Sequence, residues 1–226
     1  MSMTEQCPFK HGIRPGLPPI IEDMKHLPLD DRGYPVPFFV AYVNGKPEFQ
    51  MADEAKYKLA IVQKLCWVCG KSLVRRRKAF VIGPMCAINR ISSEPPSHFE
   101  CAQWSVKGCP FLSKPRMVRR DNPLVEKYGI GAPGVMIERN PGVMAIWETN
   151  DWKLFPDGLG QGGKLIKLGD PVAVTWWHEG RRATRQEAID SIDAGLPILR
   201  KGCHGDKQYL RLLAVQHREA LKYLPL

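Results

Sequence analysis

Four side chains able to share one ion, set as Cys66-Trp-Val-Cys69 and His98-Phe-Glu-Cys101, constrain this chain more than any other feature. Two thiolates two residues apart can grip one tetrahedral ion, and Gly70 after them lets the backbone turn back beneath it. In the second pair, Ser97 and Glu100 follow Pro95-Pro96 and read as a capping box, which starts a helix at His98. The first turn of that helix carries His98 and Cys101 on adjacent surface positions, where its positive end favours a thiolate. A lone C-x-x-C is a weak signal. With H-x-x-C at a helix start it predicts a metal site of Cys66, Cys69, His98 and Cys101, with Zn2+ as the ion.

Two further cysteines leave alternatives open. Cys86, in Gly83-Pro-Met-Cys86, can replace His98 as third ligand, and the chain can also bind no metal at all. Cys109 lies about 12 Å beyond Cys101 along a helix, too far to share its ion. The simpler reading makes Cys86 and Cys109 small buried hydrophobes. A second site can be drawn from Cys7, His11, Cys203 and His204, but nothing in the sequence brings the two ends of the chain together.

The chemistry expected of the four-ligand set is structural. Three sulfur donors blunt the Lewis acidity of an ion, and four protein ligands leave no position for water. The H-x-E with P-C-x-x-C pattern of zinc deaminases is absent, as is H-E-x-x-H. His178-Glu179, between Trp176-Trp177 and Arg181-Arg182, is a candidate anion site or a solvated edge. No catalytic residue is assigned, and an enzyme such as a metal-dependent nuclease stands only as an alternative.

Charge is as unevenly placed as the cysteines. The net charge is +10, yet residues 55–120 sum to +12 and the remainder to −2. No Asp or Glu occurs between Ala55 and Ser93. This segregation points to polyanion binding. Lys71, Arg75, Arg76, Arg77, Lys78, Arg90, Arg116, Arg119 and Arg120 are the candidate nucleic-acid contacts, with Lys107 widening the patch. Trp67 and Trp104 can stack bases; their simpler roles are to shield the ion and to pack the helix.

The rest of the chain reads as an α+β protein. Residues 1–37, rich in proline, form an extended arm over the body. Residues 38–120 form the basic zinc-binding lobe, 121–142 a Pro/Gly-rich linker, and 143–226 a small mixed α/β C-terminal lobe. Phe38–Val43 and Glu48–Met51 pair across Asn44-Gly45, a type I′ turn signal. Asp53 caps a helix to about Leu65 that buries Leu59, Ile61, Val62 and Leu65. Strands are expected at Val143–Glu148 and Lys164–Leu168, and Val172–Trp177 starts either a strand or a helix. Gly158, Gly160 and Gly163 match G-x-G-x-x-G, but they precede a strand-like segment, so a hairpin loop is expected rather than a nucleotide site. Thr184 and Glu187 form a capping box for a helix that stops at Gly195. The last helix, about Lys207 to Tyr223, sets Leu210, Leu213, Ala214, His217 and Leu221 on one stripe.

A knuckle, a basic loop, a hairpin around Gly83-Pro84 and a ligand-bearing helix, over residues 64–108, resemble a treble-clef zinc finger. The spacing from Cys69 to His98 is long for its simplest members. Cys66-Trp-Val-Cys-Gly70, Gly83-Pro-Met-Cys86, Pro95-Pro-Ser-His98, Cys101 and Cys109-Pro-Phe-Leu112 resemble an uncharacterised group of bacterial and bacteriophage proteins, from about Tyr34 to Leu199. That resemblance implies a prokaryotic or mobile-element setting and no known activity. The odd count of seven cysteines, the lack of any apolar run near 20 residues and an N-terminus without a secretory pattern place the chain in the cytoplasm, clear of membranes. The expected partner is nucleic acid or, alternatively, a host protein gripped by an adaptor or inhibitor. An apolar patch with a polar rim on the C-terminal lobe would distinguish the second.

Overall fold

The computed structural model describes residues 12–114, 142–157 and 163–226. Strand β1 (Val40–Val43) pairs antiparallel with β2 (Lys46–Ala52), and Val43 faces Lys46 across the turn. Asn44 and Gly45 sit at φ +50° and +76°, the left-handed pair that a type I′ turn requires. Asp53 accepts the Lys56 amide and caps α1 (Glu54–Gln63), which ends at left-handed Lys64. The expected buried face of α1 is wrong in part. Ala60 is its one buried residue and Ile61 reaches the main core, while Leu59 and Val62 lie in solvent. Apolar residues occur on every side of this short helix, so tertiary contact, not periodicity, selects the face.

No hairpin forms around Gly83-Pro84. Strand β3 (Lys78–Ile82) leads into α2 (Pro84–Asn89), with Gly83 as N-cap and Pro84 in the first turn. Proline there lacks only an amide that has no helical partner anyway, so the dipeptide opens a helix rather than a turn. Strands β4 (Ile91–Ser92) and β5 (Ser97–His98) follow. The capping box at Ser97 is also overturned. Ser97 and His98 pair with β3, so α3 (Phe99–Gly108) starts one residue later with His98 as N-cap and without a side-chain cap. A short α4 (Pro110–Ser113) follows.

Beyond the second described segment boundary, β6 (Val143–Glu148), β7 (Trp152–Pro156) and β8 (Lys164–Leu168) precede β9 (Ala173–His178) and the two-residue β10 (Arg181–Arg182). Pro156 pairs with Lys164, and Asp157 donates its amide to the Gly163 carbonyl, so β7 and β8 pair antiparallel; the expected loop at Gly158 and Gly160 lies outside the described residues. Helix α5 (Arg185–Gly202) opens on the expected box, with Thr184 and Glu187 exchanging both bonds. It does not stop at Gly195. A Cβ on Gly195 would sit 3.0 Å from the Met85 side chain, so this glycine permits close approach of α5 to α2. Pro197 also lies inside the helix, on an exposed turn where water can take the carbonyl bond its ring removes. Helix α6 (Lys207–Ala220), capped by Asp206, runs into a 3-10 turn at Leu221–Tyr223; Leu213 and Ala220 are its buried residues, and Ala214 is exposed.

The central sheet has the order β10-β9-β6-β3-β5, all antiparallel. The segments read as a zinc-binding lobe and a C-terminal lobe therefore share one sheet: Ala79–Ile82 pairs residue by residue with Ala145–Glu148. One face of the sheet packs Ala79, Met144, Ile146 and Trp177 against Phe99, Ala102 and Val106 of α3. The other packs Phe80, Ile82, Trp147 and Trp176 against α2, α5 and α6, with Ile166 and Leu168 from a second sheet, β4-β8-β7. Burial on both faces explains why Val143–Trp147 reads as a continuous apolar run without alternation. No helix among the described residues is long and apolar enough to cross a membrane.

At the start of α5, Arg181 donates to the Glu187 carboxylate at 2.9 and 2.6 Å, and the Thr184 amide donates at 2.8 Å. The Arg181 guanidinium and then the Thr184 amide hold the Glu187 carboxyl at about 2, against an ordinary 4.5. Its contribution to stability is full above the ordinary value and is lost as pH falls through about 2. Thr184→Ala should cost about 1 kcal/mol, measured as a lower denaturation midpoint. Glu187→Gln should flatten the acid limb of stability, and an unchanged limb would remove this carboxylate from the fold's pH dependence.

Candidate metal centre

Local backbone bonding builds the knuckle. Leu65 bridges Ser72, the Cys66 amide donates to the Lys71 carbonyl at 2.7 Å, and the Leu73 amide donates to Lys64 at 2.8 Å. Between these stems, Gly70 turns at φ +74°, where any Cβ would strike the Phe38 ring at 2.7 Å. Both a positive φ and a close approach thus require glycine here. The second ligand pair arrives through the sheet. β5 lies against β3 with Lys78 opposite His98, and α3 then begins, so that His98 and Cys101 face the knuckle.

The four ligand atoms lie within 4.8 Å of one another, and Cys66, Cys69, His98 and Cys101 are all buried. His98 Nδ1 is 3.4 Å from Cys69 Sγ and 3.8 Å from Cys101 Sγ. A tetrahedral ion bound at the usual metal–sulfur and metal–nitrogen lengths needs sulfur–nitrogen edges of about 3.6 Å. These four residues are therefore positioned to hold a metal ion. The tautomer agrees: His98 Nε2 lies 2.9 Å from the Ser72 carbonyl and must donate to it, so Nδ1 faces the thiols. The amides of Cys69 and His98 donate to Cys66 Sγ at 3.4 and 3.3 Å, which favours the thiolate form.

Burial alone would raise the Cys66 thiol, but hydrogen bonds from Cys101, Cys69 and His98 outweigh it and hold Cys66 far below the ordinary thiol range. Cys101 is pushed up, first by its bonds to Cys66 and Cys69 and then by burial. For His98, burial pulls downward, yet bonds to Cys66 and Cys69 push it up to about 10. Without metal, the cage holds its charge by sharing protons. A cation entering the cage displaces those protons, so its affinity falls as pH falls.

The N-terminal arm closes this centre. Met24 packs fully buried among Cys66, Cys69, Leu73, Cys101 and Trp104, with Ile20, Ile21 and Leu27 beside it. His26 Nε2 bonds the Cys69 carbonyl at 2.9 Å, and the Trp104 indole donates to the carbonyls of Pro18 and Pro19. Asp23 accepts from Lys71 and Arg76 at 3.4 and 2.8 Å and reaches within 3.8 Å of His98 Nδ1. Proline content marked residues 1–37 as an extended arm; nothing in it marked Asp23, Met24 and His26 as the cover of the metal centre.

The other sequence candidates separate. Cys86 stands on α2 against the main core, where burial pushes its thiol up to about 11; it is not among the clustered ligands. Burial also raises the Cys109 thiol, at the junction of α3 and α4. Cys203 donates to the Leu199 carbonyl, while Cys7 and His11 lie outside the described residues. Trp67 stacks on Phe39 at 5.0 Å with Tyr57 edge-on, and Trp104 packs on the centre, so neither indole is open to a base. His178 Nδ1 is 2.7 Å from the Gly142 carbonyl, and Arg181 is engaged by Glu187.

The basic residues are largely internal struts. Lys71 and Arg76 serve Asp23; Arg77 makes two 2.8 Å bonds to Glu148 with its guanidinium 3.8 Å over the Phe99 ring; Arg90 binds Asp170 at 2.6 Å. Among the described residues, Arg75 and Lys78 have no ion pair, and Lys107 lies over the Trp177 ring. Arg116, Arg119 and Arg120 lie outside the described residues. Comparison with known protein families, with curated proteins and with solved structures finds no match to this chain.

The purified protein should carry one metal ion per chain by elemental analysis, and Cys69→Ser should lose it and unfold at lower temperature, whereas Cys86→Ser should retain it. Metal kept by Cys69→Ser would overturn the ligand set. Met24→Ala, which opens a cavity beside the thiols, should cost about 2–5 kcal/mol and speed extraction of the metal by a chelator.

Proposed function

We propose that the ion is Zn2+ held in a structural site, and that the protein is a zinc-stabilised, non-catalytic nucleic-acid-binding protein. Three sulfurs and one imidazole, all buried, suit a redox-inert tetrahedral ion and leave no open position for substrate or water. The order of knuckle, β3–β5 pair and ligand-bearing α3 supports a treble-clef-like reading, in which α2 and β4 are inserted between the two strands. That insertion accounts for the long spacing from Cys69 to His98. The bacterial or bacteriophage setting enters this proposal on the motif resemblance alone. For the metal-dependent nuclease, no second group of three metal-ligating side chains occurs among the described residues.

The observation that carries the nucleic-acid reading is the charge of +12 confined to residues 55–120. Pairing with Asp23, Glu148 and Asp170 competes with phosphate for Lys71, Arg76, Arg77 and Arg90, whose side chains stay 21–57% exposed. Arg75, Lys78 and Lys107 remain, and Arg116, Arg119 and Arg120 follow α4 in the chain. Such contacts provide affinity without base selection. The proposed contacts therefore centre on the cations without an internal carboxylate, with Arg77 and Arg90 at the margin.

Fluorescence anisotropy with labelled single- and double-stranded oligonucleotides tests this. Binding should weaken with salt at a slope of about 0.9 per phosphate contact on a duplex. Replacing Arg75, Lys78 and Lys107 together by Ala should weaken it about ten-fold or more without lowering thermal stability. Arg77→Ala should do the reverse: it strands the nearly buried Glu148 carboxylate at a cost of about 1–3 kcal/mol and leaves affinity nearly unchanged. No binding at low salt would reject the nucleic-acid reading and leave the metal centre untouched.

A further inference from the structure

Helix α6 has two apolar faces, and the described residues cover only one. Leu213 and Ala220 point into the core, with Leu210, His217 and Leu221 half-buried beside them. Tyr209, Leu212 and Val215 are 62%, 52% and 46% exposed, and their spacing of three residues lays them in a stripe beside the buried face. Lys207, Arg211 and Arg218 fall along a single line of the helix beside Val215, with Leu212 further round. α5, which packs against α6, adds exposed Ile198, Arg200 and Lys201. Among the described residues none of these five cations has an ion pair. From Ile198 to Ala220 the acids are Asp206, which caps α6, and Glu219, which is engaged by Lys222.

From this arrangement we infer that the outer face of α6 docks an acidic amphipathic helix of a partner protein. An aliphatic stripe bordered by a row of cations is complementary to a helix with apolar residues on one edge and carboxylates on the next. Residues 209–215 span about 9 Å of helix, enough for two successive anchors of a partner. A nucleic acid would match the cations and the Tyr209 ring, but it would leave Leu212 and Val215 without an apolar partner. A membrane surface asks for a broad apolar face buried in the bilayer boundary, whereas α6 already commits half its circumference to the core. The surface shares no residue with the proposed phosphate contacts, so the two readings stand or fall separately.

The test uses the full chain and a fluorescein-labelled synthetic helix with leucines on one face and glutamates on the other. The control is a scrambled peptide of the same composition and charge. The amphipathic peptide should bind at least ten-fold tighter than the scrambled one. Leu212→Gln with Val215→Gln should weaken it about ten-fold at unchanged thermal stability, since both side chains are exposed. Lys207→Gln with Arg211→Gln and Arg218→Gln should weaken it comparably at low salt and flatten its salt dependence. Equal binding of the two peptides, or unchanged affinity of the Leu212/Val215 variant, would overturn the proposal. Binding to phosphatidylserine vesicles with none to the peptide would assign the face to a membrane surface instead.

Discussion

Two residue pairs between β3 and β5, Lys78 with His98 and Ala79 with Ser97, join the metal centre to the body of the protein. β3 is at the same time the neighbour of β6, the most buried strand of the central sheet. His98 therefore stands on the outermost strand of the central sheet while its ring enters the cage. Its Nε2 is held by the Ser72 carbonyl of the knuckle, and its amide bonds Cys66 Sγ. Ligand geometry and sheet register are consequently a single constraint. A one-residue slip of β5 would turn His98 to the opposite face.

The arm and the cations are organised around the same joint. Asp23 gathers Lys71 and Arg76 from the knuckle loop, and Arg77, one residue before β3, reaches across the sheet to Glu148 at the end of β6. Charge that looks free in the sequence is here used to fasten chain segments 48 to 71 residues apart. A site carrying three thiolates gains from nearby cations as well, since they offset the charge left after an ion binds. What remains for an external polyanion is the part of the basic segment that no internal carboxylate claims.

Burial by Met24 and Trp104 gives the centre a dry, apolar cover. Such a cover suits an ion that holds structure, because it strengthens the ligand interactions and keeps water from the ion. On α6, the described residues form no such cover over Tyr209, Leu212 and Val215. The cationic rim of that stripe sits far along the chain from the charge-rich segment, and its composition differs: aliphatic and basic rather than basic alone.

Much was legible in the sequence where chemistry is local. Cys66, Cys69, His98 and Cys101 were identifiable because two-residue spacing is set by the geometry of one ion, and Asn44-Gly45, Asp53 and the Thr184–Glu187 box because turns and caps are bonds between near neighbours. Where a tertiary contact overrode a local signal, sequence misled. Ser97 and Glu100 spell a capping box, but β5 pairing with β3 took the backbone of Ser97 and His98. Gly195 spells a helix end, but contact with Met85 required a small residue inside the helix. The sequence by itself singled out the four candidate ligands, with Cys86 left as an alternative, the mixed α+β class, the strands β1, β2, β6 and β8, and the Asp53 and Thr184 caps. Only the tertiary structure decided that β3 and β5 share one sheet with β6, β9 and β10, that Met24 covers the thiols, and which cations are already paired. Those outcomes depend on groups far apart in the chain meeting in space, and residue spacing carries no information about such meetings.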